Sequence, residues 1–273
     1  MKTLNLLFLL LLVTACNRKN EDAILARGSS FRLIRTDYYG SPANPASFRS
    51  TRYDYDENNL LREVISENTN GTVDSKQVYR WTDGNTLRVE QHFTNPPWSS
   101  SIQSGLPLKM YSYNETLYNA DTTIRERKNY NLQIDNTIEY RSSTKFEYNN
   151  QKRVTRRNIY ASDGKLASYS LYEYDSRGNV TKETLYTNIS NTTEPNIITT
   201  YEYDNAPNPY RSARLNSEIS WFLSVNNIVR QKSVNLASSI NSDEQWKYEY
   251  RPDGYPARMI YADGRKEEFF YNQ

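Results

Sequence analysis

The sequence predicts an all-β protein: a long antiparallel up-and-down meander, curved into a single sheet or a barrel-like open half-barrel. Three observations carry this. Aromatic-x-aromatic pairs recur along the chain. Asp-Gly and related turn residues stand between them. No segment of useful length shows the 3.6-residue apolar stripe of an amphipathic helix.

The chain opens with Met1-Lys2 and an apolar run from Leu4 to Val13, broken only by Asn5. That run is short for a membrane-spanning helix, which takes about 20 residues. Val13-Thr14-Ala15-Cys16 follows, an aliphatic residue and two small ones before a cysteine. The pattern matches the lipobox of bacterial lipoproteins. Residues 1–15 are therefore expected to be a cleaved export signal, and Cys16 the lipidated residue. Cys16 is the only cysteine in the chain. Several acyl chains on it would anchor the protein stably, since each buried CH₂ is worth about 0.8 kcal/mol. Residues 16–30 read as a solvated tether and 31–273 as one β-meander domain. The membrane is then the first partner, through the anchor, and the expected address is the outer membrane.

The pairs come next, in order: Tyr53/Tyr55, Tyr79/Trp81, Tyr111/Tyr113, Phe146/Tyr148, Tyr172/Tyr174, Tyr201/Tyr203 and Tyr248/Tyr250, with Phe269-Phe270-Tyr271 last. A spacing of two places both rings on one face of a strand. Asp83-Gly84, Asp163-Gly164, Asp253-Gly254 and Asp263-Gly264 are hairpin signals, because glycine supplies positive φ. Each repeat holds two strands and two turns, which gives roughly 14 to 16 strands of about 5 to 10 residues.

A charge sits between the paired rings: Glu147, Glu173, Glu202 and Glu249. Arg156, Lys182, Arg258 and Lys266 answer on following strands. These ions are expected on a solvated outer face, as cross-strand pairs worth about 0.2–1 kcal/mol each. An arginine facing the lipid midplane costs about 2–4 kcal/mol, so the sheet is expected to be tethered to a membrane and not embedded in it.

Composition narrows the chemistry. The chain carries 34 basic and 32 acidic residues, a formal net charge of +2. Nothing in that balance favours nucleic acid. Its 24 tyrosines, 8 phenylalanines and 4 tryptophans are foreign to disordered chains. With one histidine, His92, and one cysteine, no metal site, cofactor or Ser-His or Cys-His catalysis is expected. His92 reads as a strand residue.

Four segments look irregular: Gly40 to Pro45, Asn95 to Ser101, Asn188 to Asn196, and a double-proline turn from Asn205 to Tyr210. Long irregular loops often carry function. Trp98, at the centre of the second, is the candidate ligand-binding residue, as a stacking platform for a sugar or peptide. The structural alternative, that it folds back to cap the aromatic face, is the favoured expectation.

Tyr172-Glu173-Tyr174-Asp175-Ser176-Arg177-Gly178-Asn179-Val180 resembles the YD repeat of Rhs and teneurin-type shells. Tyr203-Asp204-Asn205-Ala206-Pro207-Asn208-Pro209-Tyr210, Leu223 to Val229, and Tyr250 to Pro256 are similar to a family of uncharacterised Bacteroidota β-meander lipoproteins. That resemblance implies an open or barrel-like antiparallel meander and no reaction, so no catalytic residue is carried over.

The expected function is an envelope-anchored, non-catalytic binding module for a glycan, a peptide or an outer-membrane partner. The alternatives are a passive scaffold and, last, a glycoside hydrolase, which needs two carboxylates about 5 to 10 Å apart. No pair of carboxylates is marked for that task.

Overall fold

A computed structural model describes residues 32–44, 47–95, 106–133, 135–187, 194–213, 220–236, 238 and 240–272. Sixteen strands form one antiparallel meander: β1 (Leu33–Tyr39), β2 (Phe48–Tyr55), β3 (Leu61–Asn68), β4 (Val73–Asp83), β5 (Thr86–Phe93), β6 (Lys109–Tyr118), β7 (Ile124–Leu132) and β8 (Ile138–Tyr148). The second half holds β9 (Val154–Ala161), β10 (Leu166–Tyr174), β11 (Val180–Thr187), β12 (Ile197–Pro207), β13 (Asn226–Asn235), β14 (Asn241–Tyr250), β15 (Pro256–Tyr261) and β16 (Lys266–Tyr271). A short 3-10 turn, Pro209–Ala213, and a one-turn helix α1, Ser220–Leu223, interrupt the β12–β13 connection.

Every strand pairs with its sequence neighbours, and β1 pairs with β16. The sheet is thus a closed barrel, which bears out the curved, barrel-like meander predicted from the sequence and settles its closure. Closure removes both sheet edges, which otherwise leave backbone donors and acceptors unpaired.

Nine turns share one form. In Asp175–Asn179, for example, the first amide donates to the fifth carbonyl at 2.9 Å, and Gly178 N–H donates back to Asp175 O at 3.2 Å. The fourth residue takes positive φ in all nine: Gly71, Gly164, Gly178, Gly254 and Gly264, but also Asn59, Thr122, Asn136 and Lys152. Glycine marks five of these turns, so a glycine search alone misses the others.

Rings point inward and ions outward. On the outer face Lys182 meets Glu173 at 2.9 Å, Arg258 meets Glu249 at 2.9 Å and Arg156 meets Glu147 at 3.8 Å. Arg230 takes Glu202 at 3.2 Å. Lys266 answers none of the four expected glutamates; it pairs with Glu268 of its own strand. The Tyr111/Tyr113 pair also departs from the expected face. Asn114 stands opposite the core residue Val89, so Tyr113 points outward, opposite Glu90. There it stacks on Tyr130 at 4.7 Å and lies beneath Arg88. In β6 the inward ring is Tyr118, packed with Ile124 in the core.

Candidate functional site

The barrel's two ends differ. Even-numbered strands run toward one end, and there a bulge follows the repeat glutamate. Glu147 pairs with Arg156 but Tyr148 pairs with Val154, and the same shift recurs at Tyr55, Tyr118, Tyr174, Tyr203 and Tyr250. The bulge re-aims one residue. The last tyrosine of such an even strand and the residue it pairs with near the start of the following odd strand therefore both face in.

Inward tyrosines, four of them at these bulges, then close the end. Tyr55, Tyr148, Tyr174, Tyr203, Tyr248 and Tyr271 donate their hydroxyls to the carbonyls of Leu33, Ile124, Val154, Val180, Ile228 and Pro256, at 2.5–3.1 Å. Each ring fills the core while its hydroxyl satisfies a backbone group at the strand's start. This is why the repeat favours tyrosine over phenylalanine at that position.

The β12–β13 connection plugs the same end. Tyr210 is half-buried against the core and meets Trp221, Phe222 and Phe269 edge-on at 6.4, 5.8 and 5.6 Å. Trp221 packs on Trp246 at 5.0 Å. Leu223 joins the β4–β11 side of the core, so the plug bridges both sides. The expected double-proline turn is instead strand up to Pro207, and the 3-10 turn begins at Pro209.

Asparagines bracket the plug. Asn179 Oδ1 accepts from the amides of Val225 and Asn226, both at 2.9 Å. Asn208 Nδ2 donates to Ser224 O at 3.1 Å, and Asn227 Nδ2 to Asp204 Oδ2 at 3.0 Å. Asp175 accepts from the amides of Gly178 and Asn179. Burial alone would raise its pKa; the donated bonds bring it below the ordinary value.

Beyond this floor the inward face turns polar. Glu183 sits where the plug meets the lumen. Its carboxylate accepts from Tyr172 at 3.2 Å, Tyr201 at 3.5 Å and Ser220 at 3.2 Å, and pairs with Arg157 at 3.4 Å. Arg157 also donates to Ser170 at 3.2 Å. The two charged side chains keep 20% and 18% of their exposure, so water reaches them. Across the barrel Glu267 is half-buried, and desolvation raises its pKa, partly offset by hydrogen bonds from Tyr210 and Thr36.

The open half of the wall is lined by amides and hydroxyls. Register carries Gln77 to Gln91 to Ser112 across β4, β5 and β6. One level nearer the floor, Val89, Asn114, Asn129 and Ser142 follow one another across β5 to β8. Gln91 pairs with Ser112 at 3.3 Å and Asn129 with Ser142 at 3.1 Å. Glu244 lies opposite Gln231, on the face of Tyr201, yet it is exposed. An inward residue open to solvent requires a wet lumen there, as a sheet of this strand number allows.

Of the sequence candidates, Cys16 and Trp98 lie outside the described residues, as does most of Asn188–Asn196. Asn95 and Leu106, which flank the Trp98 segment, stand at the open rim. His92 is a β5 strand residue beside Glu90 at 3.4 Å. Glu183 and Arg157 were passed over because the glutamates of the repeat drew attention to the outer face. Their signal was present: each shares strand parity with an apolar neighbour two residues on, Leu185 and Ile159.

No family model matches the sequence, and no curated protein matches it. Solved structures do. A porin-like protein from Bacteroides uniformis aligns with TM-score 0.57 and 10% identity, over 89% of this chain and 98% of that one. A porin-like protein from Bacteroides vulgatus aligns with TM-score 0.54 and 11% identity, over 89% and 99%. At these identities the likeness is one of fold: a large antiparallel barrel. A TcdB2–TccC3 structure aligns with 88% of this chain but 16% of its own, at TM-score 0.20, which carries no argument.

Proposed function

We propose that this protein is an envelope receptor cup, tethered by lipid at Cys16, that takes a ligand into the open half of its lumen without catalysis. One observation carries the reading: the barrel is shut at one end and wet at the other, and the described N-terminus stands at the shut end. Arg32 and Asn272 bond to each other there, at 2.6 and 3.0 Å. A tether leading from Arg32 would set the open mouth away from the anchoring membrane.

A transmembrane pore, which the description of the two Bacteroides structures would suggest, suits this chain less well. Its outer face holds ion pairs where a spanning barrel presents an apolar band, and aromatic packing fills one end. Leu106, Ile138, Leu236 and Ile240 are exposed at the open rim and add contact surface for a large ligand.

Two measurements test the reading. Palmitate labelling of cells is expected to mark the wild type and not Cys16→Ser; an unlabelled wild type sinks the anchor. Thermal-shift screening then covers neutral oligosaccharides, uronate oligosaccharides and short peptides. At least one class is expected to stabilise the protein, and Ser142→Trp, which fills the lumen, to abolish the shift. A blank screen, or a shift that survives Ser142→Trp, overturns the cup and favours the scaffold.

A further inference from the structure

The open wall differs from the floor in the kind of bonding it offers. From β4 to β8, above the level of the inward Arg127, its side chains include the neutral Gln77, Gln91, Ser112, Asn114, Asn129 and Ser142. Each carboxamide carries two donors and an acceptor oxygen with two lone pairs. Gln91 and Asn129 are half-buried, and their side-chain bonds to Ser112 and Ser142 use a fraction of that capacity. Half-buried rings of Tyr79, Tyr201 and Tyr261 stand below.

Two classes of chain-like ligand could use amides and hydroxyls. A peptide is most often captured by adding a strand to an exposed sheet edge, where main-chain bonds supply the affinity. This barrel has no such edge, because every strand, β1 and β16 included, is paired on both sides. Recognition falls to side chains alone. Neutral carboxamides and hydroxyls over aromatic rings match a surface of vicinal hydroxyls. The carboxamides themselves offer no counter-charge for an anionic polymer; of the inward guanidiniums, Arg127 lies one level nearer the floor and donates to Thr116 at 3.2 Å, and Arg157 faces Glu183.

We infer that the ligand of the lumen is a neutral oligosaccharide, held by the Gln91 and Asn129 carboxamides of the β4–β8 wall. This rests on the cup reading above and names its ligand class.

The test is calorimetric titration of the intact, folded barrel with neutral hexasaccharides (α- and β-linked glucose, mannose and xylose series), trigalacturonate and uncharged hexapeptides. At least one neutral hexasaccharide is expected to bind. Gln91→Leu and Asn129→Leu are each expected to weaken it about tenfold, the scale of one lost hydrogen-bonding group. Lys128→Ala, on the outer face, is expected to leave binding unchanged. Should Asn129→Leu fail to fold, Gln91→Met serves, since Gln91 lies nearer the rim. Binding of peptide or trigalacturonate with every neutral sugar silent overturns the glycan inference and leaves the cup standing. Sugar binding that ignores both wall variants places the site elsewhere and also overturns it. Silence from all three classes removes the cup and the inference together.

Discussion

At the closed end the chain turns at Asp56–Leu60, Asn119–Thr123, Asn149–Arg153, Asp175–Asn179 and Arg251–Tyr255. At the open end it turns at Asn68–Thr72, Gln133–Thr137, Ala161–Lys165 and Tyr261–Arg265, in the same hydrogen-bonded form. Behind the first set stand bulges, tyrosine hydroxyls bonded to backbone, and a plug; behind the second stand amides and hydroxyls. Local turn chemistry is therefore indifferent to which end it serves. What separates a floor from a mouth is the side chain one or two residues inside the turn. A hairpin repeat can thus close one end of a barrel and leave the other lined by polar side chains, with no change in the backbone rule.

The sharpest way to break this contrast is to remove the plug's anchor. Tyr210→Ala leaves a cavity among Trp221, Phe222 and Phe269 and is expected to cost about 3–5 kcal/mol in urea unfolding. A cost under about 1 kcal/mol, within the range of an ordinary surface change, would mean that the plug is not part of the core.

The tyrosine ladder gives a finer test. Tyr174→Phe keeps the ring but leaves Val154 O without its donor, and is expected to cost about 1–2 kcal/mol. Tyr186→Phe, in an outer stack with Tyr169, should stay within about 0.5 kcal/mol. Equal losses at the two sites would dissolve the distinction between the faces.

The smallest expected effect is one of pH. Burial holds the Glu267 carboxyl above its ordinary pKa, so the folded state favours the protonated form. The stability this contributes is present below the ordinary carboxylate range, about 4, and is lost as pH rises through the folded value. Glu267→Gln removes the titration. Relative to that variant, the wild type is expected to lose stability between acid and neutral pH in paired denaturant melts. A gap that stays constant, or grows in the opposite direction, would refute it.

Much of the fold was legible in the repeat. Alternation of rings and ions gave strands with an inner and an outer face, and Asp-Gly pairs at 163, 253 and 263 fell on positive-φ turns. The candidate site was far less legible. The Asp204, Asn208, Asn226 and Asn227 motifs, which underlay the resemblance to the lipoprotein family, serve to bracket the plug. Glu183 and Arg157 looked like more of the same charged register. Each needed its partner strand in place before its face could be assigned, because a bulge shifts parity by one.

From the sequence alone came the period-two ribbon, the hairpin turns and the lipobox around Cys16, since each is written in neighbouring residues. The tertiary structure decided that β1 meets β16, that residues 208–213 and 220–224 fold into one end, and that polar side chains line the other. Those outcomes depend on groups more than two hundred positions apart, such as Arg32 and Asn272, and on which side of a bulge a residue falls. No local pattern encodes either.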